Sequence, residues 1–310
     1  MSKPEVIVIT GPTATGKTSL GASLAKKLDG EVVSADSMQV YRLMDIGTAK
    51  PGEGDVLGVP HHLIGIVPPW DDYSVARYIR DAENCIDEIL GRGKTPLLVG
   101  GTGLYIDSLL SGRVFSEKGD AELRRGLEHE FDRIGGEAML LRLKAFDPES
   151  AADLHANDRK RIVRALEIYE QTGKTISQHD RETMTAQPRY DFIKFALTFS
   201  DRQALYERIE KRVDLMIQSG LEAEVRGLVE IGVSSLCTAM QAIGYKEIAS
   251  AIRGEYSIDD AIDKIKMESR RYAKRQLSWL RRDENVKWIV WENEIDLDMA
   301  VSYIFDTCSV

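Results

Sequence analysis

The stretch Gly11-Pro12-Thr13-Ala14-Thr15-Gly16-Lys17-Thr18 decides how this sequence is interpreted. An apolar run at residues 6–9 precedes it, and Leu20, Leu24 and Leu28 follow it at helical spacing. A strand, a glycine-rich turn and a helix, in this order, are the context in which the pattern G-x-x-x-x-G-K-[ST] holds phosphate. The sequence therefore predicts an α/β fold with a phosphate-binding loop (P-loop) after the first strand of a parallel sheet.

The P-loop has the composition of an anion-binding turn. Gly11 and Gly16 let the backbone curl so that successive N–H groups point inward, while the helix N-terminus and Lys17 add positive charge. The Thr18 hydroxyl is a candidate ligand for a Mg²⁺ ion bound to the same phosphates. The alternative is a glycine-rich turn without a ligand, and the complete pattern argues against it. We expect a di- or triphosphate, as in ATP-binding and other nucleotide-binding proteins, to contact the whole loop: Gly11, Pro12, Thr13, Ala14, Thr15, Gly16, Lys17 and Thr18.

Composition sets the outer limits of function. The chain has 310 residues, 43% hydrophobic and 29% charged, as in ordinary globular proteins. Its three cysteines form no C-x-x-C pair, and no apolar stretch reaches membrane-spanning length, so we expect a cytoplasmic protein without a membrane contact. The net charge of −9 argues against a nucleic-acid partner unless the basic residues are clustered.

Two further polar side chains follow strands of the predicted sheet. Asp36 comes directly after the apolar residues 32–35, and Thr102 follows the buried strand at residues 96–99. Because ligands bind at the carboxyl edge of an open parallel sheet, we expect both side chains near the P-loop. From the pattern alone, Asp36 fits equally well as a catalytic residue and as a helix cap or magnesium ligand. Residues 47–72, with His61 and His62, are predicted to form a loop of no assigned function.

Residues 113–190 differ from the rest because they are helical and charged. The predicted helices are 120–132, 136–145, 149–154 and 158–171. On the last of these, Lys160, Arg161 and Arg164 form a basic face; such a face is usually only solvated, but in an acidic protein it favours an anionic partner. We therefore predict a helical insertion at 113–190 in one α/β core made of residues 1–112 and 191–310.

The C-terminal part returns to the sheet. Strands are predicted at residues 192–199 and 287–291, with a helix from Asp201 to Gly220 that carries Arg212. A long helix follows at residues 258–282. Its second half is basic and contains Tyr272 and Trp279, a composition that suits RNA backbone and unstacked bases but is also compatible with core packing.

Five stretches together resemble the bacterial tRNA dimethylallyltransferases, and the resemblance extends from about residue 4 to residue 292. The Asp-Ser-x-Gln-Val-Tyr and Gly-Gly-Thr-Gly-Leu-Tyr motifs are more specific than a P-loop alone. The stretches are the P-loop, Asp36-Ser-Met-Gln-Val-Tyr-Arg42, Gly100-Gly-Thr-Gly-Leu-Tyr105, Lys160-Arg-Ile-Val-Arg-Ala-Leu-Glu167 and Met240-Gln-Ala-Ile-Gly-Tyr-Lys246.

The resemblance implies transfer of a dimethylallyl group from dimethylallyl diphosphate to N6 of the adenosine beside the tRNA anticodon. The P-loop then holds the diphosphate leaving group, with Mg²⁺ at Thr18 and Arg212 as an additional cation. Asp36 would accept the N6 proton, and Thr102 would orient the amine or the carboxylate.

The resemblance also implies a tRNA-binding set and a monomeric enzyme. Around the acceptor base we expect Asp36, Ser37, Met38, Gln39, Thr102, Gln241, Gly244, Tyr245 and Lys246. Along the anticodon stem we expect Arg124, Lys160, Arg161, Ile162, Val163 and Arg164.

Three other classes remain compatible with the P-loop. They are a small-molecule P-loop kinase, an adenylate isopentenyltransferase that uses a free nucleotide, and an RNA-binding protein without catalysis. The basic insertion and the basic C-terminal helix favour a polymer acceptor over a mononucleotide. An RNA-binding protein without catalysis has no use for Lys17 together with Asp36.

Overall fold

The computed structural model describes residues 5–113, 120–183 and 187–308. The chain divides into two compact units. The first, the core unit, combines Met1–Leu110 with Arg189–Val310, and the second, the insertion unit, is Ser111–Pro188. The sequence placed the corresponding boundaries after residue 112 and before residue 191.

The core unit is built on one parallel sheet, as the sequence predicts. Its strands are β1 (Glu5–Thr10), β2 (Gly30–Ala35), β3 (His61–His62), β4 (Thr95–Gly100), β5 (Asp191–Phe199) and β6 (Lys287–Trp291). They lie in the order β3-β2-β4-β1-β5-β6, and every neighbouring pair is parallel. Because β1 lies between β4 and β5, the P-loop that follows it leaves the sheet near its middle.

The helices of the core unit cover the sheet. They are α1 (Lys17–Lys27), α2 (Glu53–Val56), α3 (Val75–Gly91), α4 (Gly103–Leu110), α10 (Arg202–Gln218), α11 (Leu221–Glu230), α12 (Tyr245–Ile252), α13 (Ile258–Leu280) and α14 (Leu297–Cys308). Apolar residues of α1, α10, α13 and α14 pack with those of the strands in one buried cluster. Burial on both sides explains why the central strands have continuous apolar runs rather than an alternating pattern.

Two helix starts follow the capping rules that the sequence suggests. The Ser74 side chain accepts the N–H of Arg77 at the start of α3. The Asp201 side chain accepts the N–H groups of Gln203 and Ala204 at the start of α10. Both caps satisfy backbone donors that the first turn of a helix leaves unpaired.

The predicted loop at residues 47–72 is partly wrong. It contains the short helix α2, and His61–His62 form the edge strand β3, which pairs with Val32 and Val33 of β2. Two residues are too few for an alternating pattern to reveal a strand. The pairing is reinforced by a 2.7 Å hydrogen bond between His62 Nε2 and the buried Glu31 carboxylate.

The insertion unit consists of helices packed on their own core. They are α5 (Ala121–Ile134), α6 (Gly136–Lys144), α7 (Pro148–Ala152), α8 (Arg159–Thr172) and α9 (Ile176–Thr183). The sequence missed α9, because its residues are almost all polar and form no apolar stripe. In this unit Leu127, Met139, Leu143 and Leu166 are buried together.

Ile162 and Val163 also belong to this core, which corrects their assignment to an RNA surface. They are 0% and 3% exposed and pack in the cluster of α5, α6 and α8. The motif that suggested them is contiguous in sequence, whereas a helix turns successive residues to different faces.

Among the helices within the described ranges, none is long and apolar enough to span a bilayer.

Candidate active site

A cavity of about 400 Å³ opens at the carboxyl ends of β1, β2 and β4. The P-loop residues Thr13, Lys17 and Thr18 line one side of it, and Asp36, with the residues that follow it, lines another. Both sets reach the cavity because parallel strands end at the same edge of the sheet. The carboxylate and the phosphate loop, far apart in sequence, therefore share one site.

The P-loop has the curled backbone of an anion cradle. Ala14 and Gly16 adopt left-handed conformations, with φ of +67° and +86°. The buried Thr15 hydroxyl donates to the carbonyl of Pro12 at 2.8 Å, which closes the turn from inside. The Lys17 ammonium donates to the same carbonyl at 2.6 Å. Lys17 is thus held over the loop whose helix N-terminus already carries partial positive charge.

The electrostatics of the cavity favour an anion. Burial and, next in size, the charge of the nearby Arg212 lower the pKa of Lys17 to about 7, and Asp36 opposes both effects. Burial likewise lowers the pKa of Arg212, again opposed by Asp36. Two desolvated cations beside each other are unfavourable until a negative ligand neutralises them. Arg212, proposed from sequence as an additional cation, lines the same cavity.

Backbone amides orient the Asp36 carboxylate. Its Oδ1 accepts the N–H groups of Met38 at 2.9 Å and Gln39 at 3.3 Å. The Thr102 hydroxyl accepts the N–H of Ser37 at 3.0 Å and donates to the Ser37 hydroxyl at 3.3 Å. Thr102 therefore fixes the residue next to Asp36, a more indirect arrangement than the direct orientation of the carboxylate or the amine expected from sequence.

The oxygen ligands of the cavity suit a magnesium ion bound together with phosphate. The described residues contain no group of three or more histidine, cysteine, aspartate or glutamate side chains that would hold a metal alone. The Thr18 hydroxyl and the Asp36 carboxylate both line the cavity. Mg²⁺ commonly takes one or two protein oxygens and completes its shell with water and substrate phosphates.

A large part of the cavity wall is apolar, which sequence reasoning missed. The larger aliphatic lining residues are Val32, Met38, Ile64, Val99, Ile209, Val213, Met216, Ile243 and Ile265. Ile209, Val213 and Met216 recur at helical spacing around Arg212. This spacing is the sequence pattern from which the apolar wall could have been predicted. An anion cradle beside an apolar wall suits a ligand with a charged head and a small hydrocarbon group.

Comparison with known proteins gives the family of this chain. The sequence model described as IPP transferase matches residues 39–283, and that of isopentenyl transferase matches residues 4–63. The tRNA dimethylallyltransferase of Acetivibrio thermocellus is 50% identical over 297 residues, covering 96% of this chain and 94% of that protein. The chain belongs to the IPP transferase family.

Further relatives agree over nearly the full length. The tRNA dimethylallyltransferase of Bacillus subtilis is 46% identical over 305 residues, covering 98% of this chain and 96% of that protein. The solved tRNA isopentenylpyrophosphate transferase of Bacillus halodurans superposes with a TM-score of 0.75 at 41% identity, covering 99% of this chain and 96% of that one. A solved eukaryotic dimethylallyltransferase acting on tRNA has a TM-score of 0.82 at 30% identity, covering 99% of this chain and 80% of that one.

Within this IPP transferase, the segment at residues 241–246 divides into two groups. Gln241 and Lys246 line the cavity. Gly244 and Tyr245 do not line it: Gly244 is the residue directly before α12, and Tyr245 is 0% exposed. The placement of Gly244 and Tyr245 on an RNA surface is thus corrected, because neither reaches the cavity wall.

Tyr245 instead supports a wall of the cavity through Glu224. Its hydroxyl donates to Glu224 Oε1 at 2.5 Å. The same carboxylate accepts the N–H groups of Asp45, Ile46 and Gly47 at 2.8, 2.8 and 3.1 Å. Glu224 therefore fixes the backbone of a segment whose Gly47 lines the cavity.

The basic residues of the insertion unit are of two kinds. Lys160 and Arg161 are exposed. Arg124 and Arg164 both donate to Glu167 Oε2, at 3.0 and 2.8 Å, and Glu167 is fully buried. Arg164 was expected on the outward basic face; its side chain is 36% exposed, but its guanidinium is bound by the buried Glu167 carboxylate.

The pKa of Lys17 predicts how anion binding depends on pH. A bound anion favours protonated Lys17, so the affinity for inorganic diphosphate, corrected for the ionisation of the ligand, is constant below a pH of about 7 and falls as the pH rises above it. Metal-free calorimetry from about pH 6 to about pH 9 measures this. We expect the Lys17→Met variant to lose this pH dependence and the exposed control variant Lys26→Met to keep it. If the affinity of Lys17→Met depends on pH as in the wild type, Lys17 is not the titrating group.

The corrected role of Tyr245 predicts a change in stability. Tyr245→Phe removes one hydrogen bond to Glu224 and lowers the free energy of unfolding by about 1–2 kcal/mol, while the affinity for diphosphate stays unchanged. Urea denaturation checks the first result and calorimetry the second. Tyr303→Phe, at a side chain that is 43% exposed, is the matched control. If the two variants are equally stable, Tyr245 does not support the cavity wall through Glu224.

Proposed function

We propose that this IPP transferase transfers a dimethylallyl group from dimethylallyl diphosphate to N6 of the adenosine adjacent to the anticodon in tRNA, releasing diphosphate. The observation that carries the proposal is one cavity that combines an anion cradle, an apolar wall and the Asp36 carboxylate. The relatives' names support it, since they are tRNA dimethylallyltransferases and one solved neighbour is described as acting on tRNA.

The P-loop would act as a clamp for the leaving group. As the bond between carbon 1 and oxygen breaks, the electron pair passes to the bridging oxygen of the diphosphate. The loop amides, Lys17 and Arg212 face the charge that develops there, so they stabilise the transition state more than the ground state. Mg²⁺ held by Thr18 would supply further positive charge at the same phosphates. No nucleotide needs to be hydrolysed.

The Asp36 carboxylate would accept the proton of the attacking amine. The N6 lone pair forms the new bond to carbon 1 while a proton passes from N6 to Asp36. The amides of Met38 and Gln39 hold one carboxylate oxygen, and Thr102 holds Ser37, so the base is oriented before the substrate arrives. The adenine must leave its stack to reach this cavity. Gln241 and Lys246 are on the cavity wall and would contact it.

The insertion unit would bind the anticodon stem through its phosphates. Lys160 and Arg161 are exposed near the start of α8 and carry the charge for this contact. Arg124 and Arg164 share the single carboxylate of Glu167, which leaves this group with a net positive charge as well. We further expect a monomer that acts in the cytoplasm, and these two points stay predictions.

One assay separates this function from the alternatives. The protein is incubated with labelled dimethylallyl diphosphate and, in parallel reactions, unmodified tRNA, AMP and ATP. Label in tRNA at the adenosine beside the anticodon is the expected result. Label in AMP or ATP indicates an adenylate isopentenyltransferase, and phosphate transfer from ATP to a small molecule indicates a kinase; either outcome overturns the proposal.

Substitution of Asp36 tests the general base. Asp36→Asn retains an oxygen that accepts the amides of Met38 and Gln39, but it cannot take a proton, so the single-turnover rate falls by about 10²- to 10⁴-fold with little change in binding. The exposed Asp71→Asn serves as control. If excess Mg²⁺ restores the rate of Asp36→Asn, the carboxylate is mainly a metal ligand and the base assignment is wrong.

Charge reversal tests the RNA contact of the insertion. The double variant Lys160→Glu/Arg161→Glu weakens tRNA binding, leaves diphosphate binding unchanged and flattens the dependence of log K on log salt by about 0.7–0.9 for each phosphate that the protein no longer neutralises. Lys26→Glu/Lys27→Glu, at the end of α1 distant from the P-loop, changes the net charge equally and should retain the wild-type slope. The same slope in both variants contradicts the proposed contact.

A further inference from the structure

One face of α13 contacts the turn that carries Thr102. Tyr272, Gln276 and Trp279 are spaced at i, i+4 and i+7, which places them on the same side of a helix. Burial raises the pKa of the Tyr272 hydroxyl, and the nearby Thr102 side chain opposes this rise. Trp279 Nε1 donates to Asp107 Oδ2 at 2.5 Å, on the helix α4 that begins directly after Thr102. The helix is thus attached to residues 101–107 at both ends of this face.

Gln276 lies between these two contacts and also reaches the P-loop. Its Oε1 accepts the N–H of Thr13 at 3.1 Å, and its Nε2 donates to the carbonyl of Gly101 at 2.8 Å. The side chain is only 6% exposed. A carboxamide presents an acceptor and a donor on one rigid plane, so it can join a backbone N–H and a backbone C=O at a fixed separation. The two loops that it joins follow β1 and β4.

The approach of Gln276 is close enough to constrain the residue that it contacts. A Cβ atom added to Gly101 would lie 2.4 Å from Gln276 Nε2. The second glycine of the Gly100-Gly101-Thr102 turn therefore leaves room for the Gln276 side chain, which a larger residue would displace. The close approach and the hydrogen bond to the Gly101 carbonyl involve the same Nε2 atom, and together with the hydrogen bond to Thr13 they form one joint between the P-loop and this turn.

We propose that Gln276 is a positioning residue that sets the separation between the P-loop and the Thr102 turn. The inference rests on the proposed function, in which the P-loop holds the diphosphate and the Thr102 turn, through Ser37, holds the acceptor side. Each substrate binds its own loop, so a shift between the loops changes the distance between reacting atoms more than either affinity. A displacement of about 1 Å can cost about 10²-fold in rate.

Two substitutions test the joint by kinetics. Gln276→Leu removes both hydrogen bonds, and Gln276→Glu keeps the acceptor for Thr13 but places a carboxylate against the Gly101 carbonyl. We expect both to lower the single-turnover rate by about 10²-fold, while the separately measured dissociation constants for dimethylallyl diphosphate and tRNA change by less than about threefold. Ser278→Ala, at an exposed position of the same helix, is the control with wild-type rate.

Two kinetic outcomes overturn the proposal. One is wild-type activity of Gln276→Glu, since the donor to Gly101 is then dispensable. The other is a parallel decrease of thermal stability and of both affinities with an unchanged rate in the bound complex, because a merely structural residue acts in this way.

Hydrogen exchange tests the joint without any transfer reaction. Inorganic diphosphate is the probe, and we expect it to slow amide exchange at residues 11–18 and at residues 102–107 of the wild type. In Gln276→Leu and Gln276→Glu we expect diphosphate still to protect residues 11–18 but no longer to protect residues 102–107. If residues 102–107 stay protected in both variants, the proposed role of Gln276 is wrong. If the wild type fails to modify tRNA, the proposed function is wrong instead, and the exchange result still tests the role of Gln276 separately.

Discussion

The P-loop keeps its curled backbone because residues far along the chain hold it. Its left-handed Ala14 is unfavourable for a side chain with a Cβ atom, so the conformation depends on outside contacts. Gln276 accepts the N–H of Thr13, Trp291 Nε1 donates to the Thr15 carbonyl at 3.1 Å, and Arg208 donates to the Ala14 carbonyl at 3.2 Å. The anion site is thus a property of the whole core unit, although its motif is local.

This support has an electrostatic consequence. A preorganised loop places Lys17 beside Arg212 in a desolvated cavity, where burial lowers the pKa of both groups and the charge of Arg212 lowers that of Lys17 further. A bound diphosphate neutralises the repulsion between the two cations, and the neutralisation increases as charge moves onto the leaving oxygen. In the proposed function, the apolar wall beside it would exclude water from the hydrocarbon group. The P-loop, the apolar wall and Asp36 together would then favour transfer of an alkyl group over hydrolysis.

The sequence predicts the secondary structure and the sheet of this protein well, and its side-chain contacts less well. The P-loop, the strand that presents Asp36 and the parallel sheet follow from buried apolar runs and from the rule that ligands bind at carboxyl ends of strands. The burial of Tyr245 and Val163 does not follow, because a contiguous motif does not reveal which face of a helix is covered. Gln276 was missed for a similar reason, since its partners are 263 and 175 residues away.

The central claim is that the P-loop holds a leaving group and that the bond broken is between carbon and oxygen. Dimethylallyl diphosphate labelled with oxygen-18 at the bridging position tests it directly, in a reaction with unmodified tRNA and no nucleoside triphosphate. Mass spectrometry of the released diphosphate should find the label there, with one diphosphate for each modified adenosine. Unlabelled diphosphate, released orthophosphate or a requirement for ATP would contradict the account.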